Sequence, residues 1–106
     1  MNTTCEIEQS WQAIEITSRT MREAAKTEDW SQVLELASAR HLNVLSHFQC
    51  FPVGPANADF YRHQLMVMLD GEKELQALTL LARKRVMQES SIVNHNHRAV
   101  GAYLAQ

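Results

Sequence analysis

The sequence predicts an all-α protein, an antiparallel helical bundle of three long helices followed by a short carboxy-terminal helix. Three observations carry that prediction. Apolar residues recur at alternating spacings of four and three along most of the 106 residues, the pattern of helices buried on one side. Only three Gly and two Pro occur, and both prolines fall between Phe51 and Pro55, so the chain has few breaks and long elements. Apolar residues make up 45% and charged residues 21%, which places the chain among globular domains and not among disordered ones. At this length residues 1–106 form one domain with a small core.

The first helix is expected over about residues 4–26. Thr3 and Glu6 match a capping box, and Ile7, Trp11, Ile14, Ser18, Met21 and Ala25 follow as a heptad seam. Thr27 is the expected N-cap of the second helix, with Glu28 and Asp29 in its electropositive first turn. Its seam reads Trp30, Leu34, Ala37, His41, Val44 and Phe48, and the Pro52–Pro55 stretch ends it. The two seams match as an antiparallel hairpin. Ile7 faces Phe48, Trp11 faces Val44, Ile14 faces His41, Met21 faces Leu34 and Ala25 faces Trp30. The same register brings Cys5 and Cys50 to one end of the bundle, as free thiols that air can oxidise to a bridge.

Asn57 or Asp59 caps the third helix, which runs to about Val93 on the seam Leu65, Met68, Glu72, Leu75, Thr79, Ala82, Val86, Glu89, Val93. Gly71 weakens it without forcing a break. Asn94 and Asn96 end it, and residues 97–104 form the short fourth helix with Val100, Tyr103 and Leu104. The third helix is a rod of roughly 50 Å against roughly 35 Å for the first. Packed antiparallel on the second helix, it covers the hairpin up to about residue 82. Val86, Met87, Ile92 and Val93 then project past it. An apolar stripe of that size marks an interface with a partner, a second copy or the folded-back tail.

No catalytic or cofactor-binding pattern emerges. His95 and His97 are two apart, where a helical zinc pair needs four, and neither HExxH nor CxxC occurs. His41 and His63 lack the neighbouring Lys and small residue that a phosphotransfer histidine needs. The run Glu74–Arg83 looks somewhat like the first helix of chorismate-type mutases. It sits late in the chain, however, and no Lys follows Arg85 to grip a dicarboxylate substrate. An amphipathic core helix explains the same residues, so a mutase ranks third among the readings.

The net charge of −2 gives no general attraction to nucleic acid or anionic membranes. Arg83, Lys84 and Arg85 form a short basic cluster, too sparse and too poor in aromatics for a nucleic-acid groove. The first residues show neither a basic start nor an apolar run, so no signal peptide is expected, and no stretch reads as a membrane span. Two cysteines without metal spacing fit a reducing cytoplasm.

The layout resembles the flagellar export chaperone FliT family. The matching landmarks are Trp11 in the first helix, Asp29-Trp30 opening the second, Leu69-Asp70 and Glu74-Leu75 in the third, and Ala102-Tyr103 near the end. The resemblance implies a cytoplasmic type III export chaperone that binds the filament-cap protein. It also implies contact with the export ATPase and gate, and with the flagellar master transcription regulator. Val86, Met87, Ile92, Val93, Val100 and Tyr103 are the expected partner-binding residues. By the resemblance, Val86, Val93, Val100 and Tyr103 belong to the binding face and to the carboxy-terminal segment that can cover it. Neither cofactor nor metal nor small-molecule substrate is expected. The alternative is a structural or adaptor bundle forming an obligate homodimer.

Overall fold

The computed structural model describes residues 3–104, the side chains at 3–5, 97, 102 and 103 excepted. The fold is all-α, with three helices: α1 (Thr3–Lys26), α2 (Trp30–Cys50) and α3 (Ala58–Leu104). Helices α1 and α2 form the expected antiparallel hairpin, and α3 returns parallel to α1. The segment expected as a separate fourth helix is continuous with α3. Asn94 and Asn96 do not break the helix, since each costs only about 0.7 kcal/mol relative to Ala and nothing replaces their backbone bonds.

The turn between α1 and α2 explains where α2 begins. Glu28 takes a left-handed conformation, with φ of 61°. The Asp29 amide donates to the Ala24 carbonyl at 2.9 Å and the Glu28 amide to the Ala25 carbonyl at 3.1 Å. These two bonds close a Schellman motif, which satisfies carbonyls at the end of α1. Thr27 is therefore not the cap of α2. Its hydroxyl turns back and donates to the Ala24 carbonyl. Asp29 is the cap, accepting from the Gln32 amide at 3.2 Å. At the other end Asn57 organises the connection. Its side chain accepts from the Gly54 amide and donates to the Pro52 carbonyl, while its own carbonyl accepts the first helical bond of α3, from Tyr61.

Helix α1 lies at the centre. Its backbone approaches both neighbours within 8 Å, whereas α2 and α3 nowhere come that close among the described residues. Helix α3 meets α2 through long side chains, Tyr61 on His47 and Phe48 and Glu72 on Arg40, while the small residues of α1 let it approach both partners closely. Ala24 and Ala25 are buried with Met21 and Val33, and Trp30, Leu36, Ala37, Leu75 and Leu78 pack around them. A second cluster unites Trp11, Ile14 and Tyr61 with Ile7, Val44, Phe48, Phe60 and Met68. Trp11 meets Phe48 edge-on at a ring separation of 5.9 Å, and Ile7 and Val44 pack in the same cluster, so the residues expected to pair at this end of the hairpin lie together there.

The register of α2 departs from prediction further along. Leu34 is 70% exposed and His41 is exposed, so neither the Met21–Leu34 nor the Ile14–His41 pairing forms. Val33, Arg40 and His47 turn inward in their place. The inward steps from Trp30 are three then four, through Val33, Ala37, Arg40, Val44 and His47, whereas the predicted seam took four then three. Val33 and Leu34 are both apolar, so hydrophobicity alone does not choose between them. Hydrogen-bond partners choose. Arg40 donates to Ser18 of α1 and pairs with Glu72 of α3, which stitches all three helices at mid-height.

The hairpin covers α3 only part-way. Leu75 and Leu78 are the last α3 residues packed on a core cluster, Ala82 is half-buried, and Arg85 pairs with Glu28 at the hairpin tip. Beyond that point every described side chain is exposed. The molecule measures 81 × 20 × 19 Å with a radius of gyration of 21.3 Å. A compact domain of this length would have about 13 Å. Among the described residues no helix is long and apolar enough to cross a membrane.

Candidate docking surface

Three regions of the molecule combine polar and apolar groups in ways that bear on function: the overhang of α3, the cleft between α2 and α3, and a buried histidine network. The overhang carries most of the predicted site residues. Val86, Val93 and Val100 are 61%, 64% and 57% exposed. With Ala82 and Leu104 they follow each other by four or seven residues and so line one face of the helix. That face continues the stripe by which Met68 and Leu75 seat α3 on the hairpin, since the same steps connect them. Among the described residues nothing covers it past Ala82.

Met87 and Ile92 are exposed as well, but a helix turns about 100° per residue, so they fall on either flank of that stripe. Met87 and Val86 line a shallow depression with Ser90, Ser91, Asn94, His95 and Arg98. Its lining is mixed and open, suited to the rim of a protein contact and not to enclosing a small molecule. Tyr103 lies near the end of α3, and its side chain falls outside the described residues. Because α3 is continuous through Leu104, residues 97–104 lead away from the hairpin and do not fold over it.

The cleft between α2 and α3 was not legible as a surface in the sequence. Ala37, Arg40, His41 and Val44 form one wall, Met68 and Glu72 the other. The exposed Leu34 and Leu45 share the helical face of His41, and the exposed Leu65 and Leu69 that of Glu72. The one signal that points to it is Glu72, a charge on the apolar seam of α3; its partner Arg40 lies beside the predicted α2 seam, which passes through His41.

His47 is 2% exposed and joins three segments of the chain. Ser10 Oγ lies 2.7 Å from Nδ1, and Tyr61 Oη 2.7 Å from Nε2. Tyr61 spends its own proton on the Phe51 carbonyl at 2.9 Å. It must therefore accept from His47, which places the imidazole proton on Nε2 and makes Nδ1 the acceptor for the Ser10 hydroxyl. Each of the three side chains in this network is satisfied in this arrangement, with the ring neutral. Burial pushes His47 below its usual 6.5 and raises the Tyr61 phenol above its usual 10.0. Trp11, Phe48 and Phe51 surround the ring, so no substrate reaches it. The network is a pin that fixes the base of α3 to the hairpin.

Among the described residues no three His, Cys, Asp or Glu side chains gather closely enough to hold a metal. Cys50 is an exposed free thiol. Cys5 belongs to the first turn of α1, at the same end of the hairpin, and its side chain is outside the described residues. No known family model matches the chain, and neither a curated protein nor a solved structure matches it significantly.

Proposed function

We propose that this chain is a docking chaperone of the flagellar export type, and that the uncovered stripe of α3 is its docking face. The observation that carries the reading is the apolar overhang. Val86, Val93 and Val100 stand exposed on one face of a helix that the other described residues leave bare. An apolar face at helical spacing recognises an amphipathic helix of a partner, whose own apolar positions it would desolvate. The landmarks shared with FliT-type chaperones make the filament-cap protein the proposed cargo. The export ATPase and gate and the flagellar master regulator are proposed further partners. The reading places the chain in the cytoplasm and assigns it no catalysis.

The test is a calorimetric titration of the full chain with the filament-cap protein of the source organism. Binding is expected, and Val93→Asp should weaken it at least about thirtyfold, because an interface must desolvate the new carboxylate. Absence of binding by the unsubstituted chain overturns the cargo assignment. Binding that Val93→Asp and Val86→Asp leave unchanged moves the docking face off the overhang.

A further inference from the structure

Beside its apolar seam, α1 carries a second stripe that is polar throughout. Glu8, Gln12, Glu15, Arg19 and Arg22 follow at steps of four, three, four and three, so they share one face of the helix. Two depressions between α1 and α3 open along this stripe. Glu8, Trp11, Gln12 and Phe60 line the one nearer the start of α1, and Arg19, Arg22 and Met68 line the other. Glu15 and Gln64 line both, so the two make one groove, acidic at one end and basic at the other.

The polar groups of this groove are unspent. Trp11 is 2% exposed, and its indole N–H has no acceptor among the described residues. Buried donors without partners are rare in folded proteins, and each calls for an acceptor. The side-chain amides of Gln12 and Gln64 make no hydrogen bond among the described residues. Glu15 and Arg19 stand one turn apart, the ordinary spacing of a helical ion pair, yet neither they nor Glu8 form an ion pair there. Arg22 approaches Glu74 at 3.6 Å, which leaves Arg19 the freer of the two cations.

We infer that the groove holds an extended segment of a partner protein with a basic and an acidic side chain four residues apart. The base lies between Glu8 and Glu15, its methylenes along Phe60, and the acid lies at Arg19 and Arg22. The centres of the two charged ends are nine residues apart along α1, roughly 13 Å. An extended chain covers about that distance in four residues and points both side chains to the same face. A helical occupant spends its own amides and carbonyls internally, whereas an extended one offers them to the Trp11 indole and to the amides of Gln12 and Gln64. The groove is separate from the α3 overhang and asks for a different kind of segment.

The test is a nuclear magnetic resonance titration of the isotope-labelled full chain with acetyl-Thr-Lys-Thr-Thr-Thr-Glu-Thr-amide. A second peptide exchanges Lys and Glu, because the charges set the spacing and not the chain direction. With at least one of the two, at low millimolar concentration, the Trp11 indole N–H resonance should shift to saturation while that of Trp30 stays in place. Arg19→Glu, an exposed substitution, should weaken that binding at least about tenfold, and replacing the peptide's Glu with Lys should recover it. Val93→Asp should change nothing. The inference is overturned if neither peptide moves the Trp11 resonance, or if both indoles move alike, as in unspecific contact. Binding that Arg19→Glu leaves intact also overturns it, and so does binding lost in Val93→Asp, which would place the peptide on the overhang. Failure of the filament-cap titration leaves these results untouched.

Discussion

The neutral imidazole of His47 has a consequence that can be measured in the folded protein. Its hydrogen bonds to Ser10 and Tyr61 assign one proton to the ring, and burial disfavours a second. A folded pKa below the unfolded 6.5 means that the unfolded chain binds more protons wherever the two differ. Stability from this residue is therefore complete above that pH and declines as pH falls through it, levelling off below the folded value. The hydrogen-bond and aromatic neighbours of the ring are Ser10, Trp11, Phe48, Phe51 and Tyr61, all uncharged. Thermal melts between neutral and mildly acidic pH should show a falling midpoint. His47→Gln, which keeps a polar side chain but cannot titrate, should flatten that slope; an unchanged slope in the variant would assign it to other groups. The Tyr61 phenol acts at the opposite limit. Its raised pKa withdraws stability as pH climbs above 10.0, where the unfolded chain ionises first.

Helix α3 owes its course to pinning at its base and to one glycine. Arg22 of α1 passes over the backbone at Gly71 to approach Glu74 at 3.6 Å. A Cβ at Gly71 would stand inside the contact distance of the Arg22 guanidinium and 3.2 Å from its Cζ. The obstacle is the far end of a flexible, partly exposed side chain, and the ion pair it would surrender contributes at most about 1 kcal/mol. Alanine in mid-helix gains roughly 0.8–1 kcal/mol over glycine. Gly71→Ala is expected to stabilise the protein by about 0.5 kcal/mol, read from chemical denaturation. A loss above about 1 kcal/mol would show that Arg22 cannot yield.

The elements themselves were largely legible from spacing. The periodicities of α1 and α3, the prolines after Phe51 and the exposure of Val86 and Val93 all follow from the order of residues. Two things were not. The inward face of α2 rests on Arg40 and His47, polar residues whose burial depends on Ser10, Ser18, Tyr61 and Glu72 arriving from other helices. A one-dimensional pattern of apolar residues excludes such positions from the core. The start of α2 rests on Glu28 in a left-handed conformation, where glycine or asparagine is the usual signal.

At the scale of the whole molecule, folding and docking occupy different lengths of the same rod. Met21 is buried between Ala24, Ala25 and Val33, so Met21→Asp strands a carboxylate in a core too small to absorb it. That variant should lose about 3 kcal/mol or more and fail to fold cooperatively. Val86→Asp adds its charge to solvent. It should change stability by less than about 0.5 kcal/mol. Circular dichroism melts of the two variants separate the cases. A Val86→Asp protein that melts as badly as Met21→Asp would mean that the overhang is structural core, and the docking face would fall.

The solitary half of α3 also links occupancy to protein lifetime. Past Arg85 the described side chains are all exposed, and most helical stability in proteins comes from tertiary packing of an apolar face, which this stretch lacks among the described residues. Its turns open and close on the microsecond scale, and each opening offers a protease an extended strand. Laying another helix along the valines closes that window while leaving the hairpin as it was. The cleavage rate beyond residue 86 thus becomes a clock for unoccupied molecules: chains with a companion persist, and solitary ones are trimmed first.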